Sequence, residues 1–335
     1  MTFKHQPSNS SPAYNLQIRN QQRTTHTQSM EATTEENVAM YRGVGAPIDS
    51  KLSLQEQLRQ AGLDWSVELS DLRYGLTYSH ESNYRQAIYR SDSGLLLDTV
   101  GGRWQPFQNS QILETFRQFC DDTGLELEHL GELRGGRTIF ATAKLNEQFS
   151  LTRDDVTDGR ILLTNYHECG AGLRVDLMTN ARICTNGMTL PVRVGSRNIN
   201  HVGSYDRQRI LDVLEAAKNN FHTFQQQTER LANTPVSEAE FTLLLIQEFG
   251  DPNKPIAEQP RPVQLCLKLF RGQGQGANEL SRYQTAYGAL SAVTEYYNHH
   301  SPQRGGVSGH LNSLWLGSKA KRQQQFMRQL VSVYQ

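Results

Sequence analysis

The chain has 335 residues, and its 34 Lys+Arg balance its 34 Asp+Glu, so the formal net charge is zero. That length can hold one large domain or two ordinary ones around a sizeable core. A neutral total excludes attraction to nucleic acid or membrane by bulk charge and leaves only local patches.

Arginine outnumbers lysine 26 to 8, and its planar fork suits phosphate or carboxylate. Cys120, Cys169, Cys184 and Cys266 lie far apart with no CxxC pair, the pattern of free thiols in a reducing cytoplasm. No apolar run approaches the ~20 residues of a membrane span, and the N-terminus lacks a signal-peptide core. The expectation is a soluble cytoplasmic protein with no membrane partner.

Residues 1–50 are rich in Gln, Ser, Thr and Asn without periodicity, and read as a disordered polar tail. An α+β sheet region is expected over residues 51–200 and a helical region packed on it over 201–335. Ser53 to Ala61 predicts a short helix stopped by Gly62, and Trp65 to Leu69 a strand. Tyr84–Arg90 and Leu95–Leu97 predict a hairpin around Ser91–Gly94. Asn109 opens a helix with Ile112, Leu113, Phe116 and Phe119 on one face, ended by Gly124. From Arg137 to Leu145 and from Leu173 to Met178, period-two alternation predicts strands with one apolar and one polar face. Turns at Gly135-Gly136, Asp158-Gly159 and Gly170–Gly172 would join them as an antiparallel β-meander.

The second half is helical. Tyr205 to Ala232 reads as one long helix, with Ile210, Ala217, Phe224 and Leu231 in a seven-residue seam and Leu214 and Phe221 between. Ser237 and Glu240 form a capping box. Helices follow at about Val263–Phe270, Asn278–His299 and from Ser318. No acidic residue follows Glu295, so the C-terminus is a basic end.

No GxSxG elbow, P-loop or dinucleotide fingerprint is present, because Gly272-Gln-Gly-Gln-Gly276 lacks both the lysine and the preceding strand. His167, Cys169 and Cys184 lack the paired spacing of a zinc site. No metal or cofactor is expected. The polar strand face offers Arg137, Lys144, Arg174 and Arg182 for phosphates and Tyr166 for a base. A polar centre of Asn165, His167, Cys184 and Asn186 is the catalytic alternative.

Several patches occur in a recognisable order: Leu63-Asp-Trp65, Tyr89-Arg-Ser-Asp92, Gly102-Arg-Trp-Gln-Pro106, Gly135-Gly-Arg137, Thr164-Asn165-Tyr-His167, Arg182-Ile-Cys184-Thr-Asn186 and Leu314-Trp315-Leu-Gly317. Together they resemble the DUF932 family of phage- and plasmid-like proteins. The resemblance implies a phage, plasmid or genome-island association and carries over no catalytic residue. The order helix, β-meander, long helix is also similar to that of the Rad52-like single-strand annealing proteins, an analogy of fold alone. The leading expectation is therefore a non-enzymatic binder of single-stranded nucleic acid, an annealing or recombination accessory that forms a homo-oligomer. The alternatives are an enzyme centred on His167 and Cys184, and a protein-interaction role for the Ile210–Leu231 seam.

Overall fold

The computed structural model describes residues 40–181, 188–192 and 199–334. The strands in chain order are β1 (Ala46–Pro47), β2 (Val67–Tyr74), β3 (His80–Arg90), β4 (Leu96–Gly101), β5 (Glu126–Leu133), β6 (Thr138–Ser150), β7 (Val156–Tyr166), β8 (Gly172–Ala181), β9 (Met188–Val192) and β10 (Ile199–Asn200). The α-helices are α1 (Leu54–Gln60), α2 (Asn109–Thr123), α3 (Arg207–Asn219), α4 (Phe221–Ala232), α5 (Glu238–Phe249), α6 (Arg261–Lys268), α7 (Ala286–Glu295), α8 (Gly306–Trp315) and α9 (Ser318–Val333). The fold is α+β with antiparallel sheets and a helical C-terminal half.

The central sheet is the expected meander β5-β6-β7-β8, with β1 outside β5 and both β9 and β10 on the far edge of β8. A smaller sheet holds β2-β3-β4. The β5–β6 turn runs through Arg134, Gly135 and Gly136, all at positive φ. Gly136 is required there, since a Cβ would meet the Trp65 ring at 2.8 Å. Ser53 caps α1 and Ser237 caps α5 through capping boxes with Glu56 and Glu240, so both boundaries are set by adjacent side chains.

Four expectations are corrected. Residues 1–39 of the polar tail lie outside the described residues, but order begins before residue 50: Met40 and Tyr41 are buried. The Tyr41 ring stacks 3.7 Å from His129, and its hydroxyl reaches Glu128 and Thr142. Asp158-Gly159 is not a turn but lies inside β7. The glycine serves packing, because a Cβ there would sit 2.6 Å from Phe221 and 2.7 Å from Leu145.

The long helix breaks at Asn220, whose side-chain amide bonds the Ala216 carbonyl. Such local bonds compete with helix continuation. The seam nevertheless stays inward: Ile210, Leu214, Ala217, Phe221, Phe224 and Leu231 are all buried in their own chain. Folding consumes them, and the interaction reading of that seam loses its support. Finally, α7 starts at Ala286 rather than Asn278. Gln284 is at φ 51°, Thr285 caps the helix through Gly288 N–H, and Arg282 is turned inward.

The polar face of the meander is also buried. Every residue of β8, and residues 157–165 of β7, is covered. Trp315 packs edge-on to Tyr41 and Phe140 on one side, while α2 and α3 lie against the other residues of the sheet. The charges on these strands are therefore neutralised internally. Arg160 forms a two-pronged pair with Glu128 at 2.6 and 2.9 Å. Arg174 Nε lies 2.5 Å from Asp176 Oδ2. Arg282 grips Asp155 at 2.8 Å through both prongs, with Ser281 as a third donor at 2.7 Å. One cluster of buried side chains runs from Met40 to Leu330.

Two outcomes follow from this packing. Asp155→Asn strips Arg282 of its buried counter-charge and should cost about 3–5 kcal/mol in urea unfolding, whereas Asp155→Leu with Arg282→Met should recover most of that loss. Gly159→Ala should cost about 1–3 kcal/mol through overpacking on Phe221, and pairing it with Phe221→Leu should restore part of it.

Candidate nucleic-acid interface

The residues expected to line one exposed strand face do not share it. Arg137 is exposed at the β5–β6 turn. Lys144 is half-buried, seven residues further along and thus about 23 Å away at the rise of a strand, in a cross-strand row with Glu126 and Arg160. Tyr166 is half-buried at the end of β7 beside Thr138. Arg174 is buried against Asp176 and the Leu316 carbonyl, which removes it from any phosphate contact. Arg182 lies outside the described residues.

Of the polar centre, the structure brings Asn165 and His167 together, while Cys184 and Asn186 lie outside the described residues. His167 is fully buried and its hydrogen bonds are saturated. Asn109 donates its amide to the Leu63 and Trp65 carbonyls, which turns its Oδ1 toward His167 at 3.0 Å. His167 Nε2 therefore carries the proton, and Nδ1 accepts from Asn165 at 3.4 Å. Trp65 closes the ring edge-on. Burial, and then the nearby His201, push the His167 pKa down to about 3. A neutral imidazole with both nitrogens engaged is a structural pillar rather than a general base. His201 is neutral too but engaged on one side: it packs on Trp104 and Phe107, donates Nδ1–H to the Gln105 carbonyl, and is pushed down to about 4 by burial.

The exposed aromatic and cationic surface lies elsewhere, on the β2–β3 ribbon. β4 pairs with β3 only over Arg85–Tyr89, so the ribbon beyond Arg85 has no third strand. Between the pairs Asp71↔Gln86 and Arg73↔Glu81, residues 82–85 face Leu72 alone. This bulge turns Tyr84 outward to 85% exposure, as bulges re-aim side chains. Tyr84 N–H and Arg85 N–H both bond to Ser82 Oγ, which holds the bulge. At the tip Leu76 is fully exposed and Tyr78 is 71% exposed, with Tyr78 itself in the left-handed region at φ 52°. Tyr74 lies against His80 with ring centroids 5.5 Å apart. Arg73 pairs loosely with Glu81, and Arg85 is anchored to the Thr99 carbonyl. The signal in the sequence is Arg73-Tyr74…Tyr78…His80…Tyr84-Arg85, aromatics interleaved with bases and without the alternation of a core strand.

Residues 96–331 match the family described as a domain of unknown function (DUF932). The chain belongs to the DUF932 family. No curated protein and no solved structure matches it. The DUF932 match opens on the first residue of β4 and takes in the whole meander and the helical half. The ribbon precedes it, so this surface lies outside the matched DUF932 residues, as do the patches at Leu63–Trp65 and Tyr89–Asp92. Among the described residues no group of three or more His, Cys, Asp or Glu is placed to hold a metal ion, and no helix is long and apolar enough to cross a membrane.

The buried histidines set an acid limit. An unfolded chain protonates His167 near its ordinary 6.5, whereas the folded chain resists until about pH 3. Between these values the unfolded state binds more protons, so stability falls as pH drops from about 6.5 toward 3. Urea midpoints across that range should show the decline. His167→Gln should lower stability at pH 7 yet flatten the slope.

Proposed function

We propose that this protein binds single-stranded nucleic acid without chemically altering it, as an annealing or recombination accessory. The observation that carries the reading is the β2–β3 ribbon: Tyr74, Tyr78 and Tyr84 stand exposed beside Arg73 and Arg85. Sequence-tolerant binding of single strands uses this pairing, with aromatic faces for bases and cations for the backbone. Arg103, exposed just beyond the β4 residue that pairs with Arg85, extends the cationic side. Arg137 adds an exposed base at the β5–β6 turn. The free thiols of Cys120, Cys169 and Cys266 fit a cytoplasmic location.

A second reading rests on Leu76. A fully exposed leucine on a two-stranded projection, itself marginal in isolation, suits docking on another copy of the chain. A homo-oligomer and strand binding are compatible, and one experiment separates them.

Fluorescence anisotropy with labelled oligo-dT at 50 mM salt should show binding that weakens as salt rises. Tyr84→Ala should reduce affinity roughly 5- to 150-fold, the equivalent of about 1–3 kcal/mol per stacked base. Arg85→Gln should shallow the salt slope. Unchanged affinity in a Tyr74/Tyr78/Tyr84 triple alanine variant, or no binding at low salt, rejects the proposal. Light scattering on Leu76→Asp reports the oligomeric reading independently.

A further inference from the structure

The small sheet has an open side. β2 pairs with β3 alone, and β3 carries β4 on its other flank. Backbone bonding fixes which way each β2 residue faces. Ser91 N–H donates to the Ser66 carbonyl, and Arg90 N–H donates away from β2, to the Leu95 carbonyl. Antiparallel pairs alternate between bonded and non-bonded. Ser66, Glu68 and Ser70 are therefore the residues bonded to β3, while Val67, Leu69 and Asp71 turn their N–H and C=O groups outward.

Val67 shows what this side accepts. The Gln108 side chain docks on it as a neighbouring strand would. Val67 N–H donates to Gln108 Oε1 at 2.9 Å, and Gln108 Nε2 donates back to the Val67 carbonyl at 3.0 Å. One amide group thus makes the first rung of a ladder. Among the described residues no group makes the next rungs, at the Leu69 and Asp71 backbone.

An edge of this kind is normally blunted or covered. β2 bears the exposed acids Glu68 and Asp71, and its base, Arg73, is paired with Glu81. A second copy on this edge would set one acidic strand against another, whereas a basic strand is attracted. Leu69 is half-buried and lies across from the buried Ile88, so an apolar side suits the edge as well.

One stretch of this chain has that character, and it lies outside the described residues. In the otherwise aperiodic polar segment, Tyr14, Leu16 and Ile18 alternate with Asn15, Gln17 and Arg19, the period of a strand with one apolar face. Lys4, Arg19 and Arg23 all come before the first acidic residue, Glu31. The 21 residues between Ile18 and Met40 reach ~70 Å when extended, more than the roughly 50 Å width of a compact domain of this size.

We propose that residues 14–19 add to β2 as a further strand of the small sheet, completing at Leu69 and Asp71 the ladder that Gln108 begins at Val67. Main-chain bonds supply the attachment and alternate side chains the selectivity. With Tyr14, Leu16 and Ile18 continuing the face of Val67 and Leu69, Arg19 falls on the face of Glu68. β2 leads straight into the exposed ribbon, so the added strand runs along the base of that ribbon. The inference stands on the edge geometry and does not rest on the nucleic-acid reading.

The test is hydrogen exchange of the full chain, read amide by amide. Glu68 and Ser70 serve as references, because their N–H groups bond to β3. Leu69 and Asp71 should exchange at least tenfold more slowly in the wild-type chain than in Leu16→Pro, at every protein concentration, with Glu68 and Ser70 unchanged. Asp71→Pro removes an outward donor and no bond of the β2–β3 ladder, and should speed exchange across residues 14–19. Rapid exchange at Leu69 and Asp71 in the wild-type chain overturns the proposal. So does protection that survives Leu16→Pro; if that protection grows with protein concentration, the occupant of the edge is a second copy.

Discussion

The grip of Arg282 on Asp155 ties the two halves of this molecule together. Asp155 sits where β6 turns into β7, and Arg282 leads into α7, so one buried pair joins the meander to the helices laid against it. A charge at that depth is costly without a partner; Ser281 gives Asp155 a further donor, and the Tyr287 ring lies under the guanidinium. Arg160 with Glu128, and Arg174 with Asp176, repeat the device within the sheet. Both faces of β7 and β8 can be dry because these charges answer one another.

How much of this could be read from residues alone depended on the distance between cause and effect. The capping boxes at Ser53 and Ser237 were legible because the chemistry lies within four residues. The helix at Asn109 and the strands from Arg137 and Leu173 were legible from period. Alternation shows that two faces differ, but not what covers them. The partners that turned an apparent phosphate-binding face into a closed one lie far along the chain: Asp155 meets Arg282, and Tyr41 meets Thr142. Gly159 shows the same limit from the packing side. A glycine after an aspartate reads as a turn until Phe221 is known to fill the space above it.

The site divided along the same line. His167 was visible as a polar residue, but its silence comes from Asn109, whose orientation is set by the Leu63 and Trp65 carbonyls. The ribbon is not legible in the sequence because nothing in Arg73 to Arg85 repeats with a core-facing period, and exposure is a property of the fold. Among the described residues, burial lowers the pKa of His129, His167, His201 and His310, while Tyr74, Tyr78 and Tyr84 stand exposed.

The acid-free C-terminus gives the neutral total a different meaning. All Asp and Glu side chains lie at or before Glu295, so in the side-chain count the positive charge of the segment containing α8 and α9 is balanced by an equal negative excess in the rest of the chain. A protein with no net charge can still carry a large dipole moment. Near a polyanion it would feel a torque before it feels a pull, and would rotate to present α9 first. Its long-range electrostatics would then set the angle of approach rather than the speed.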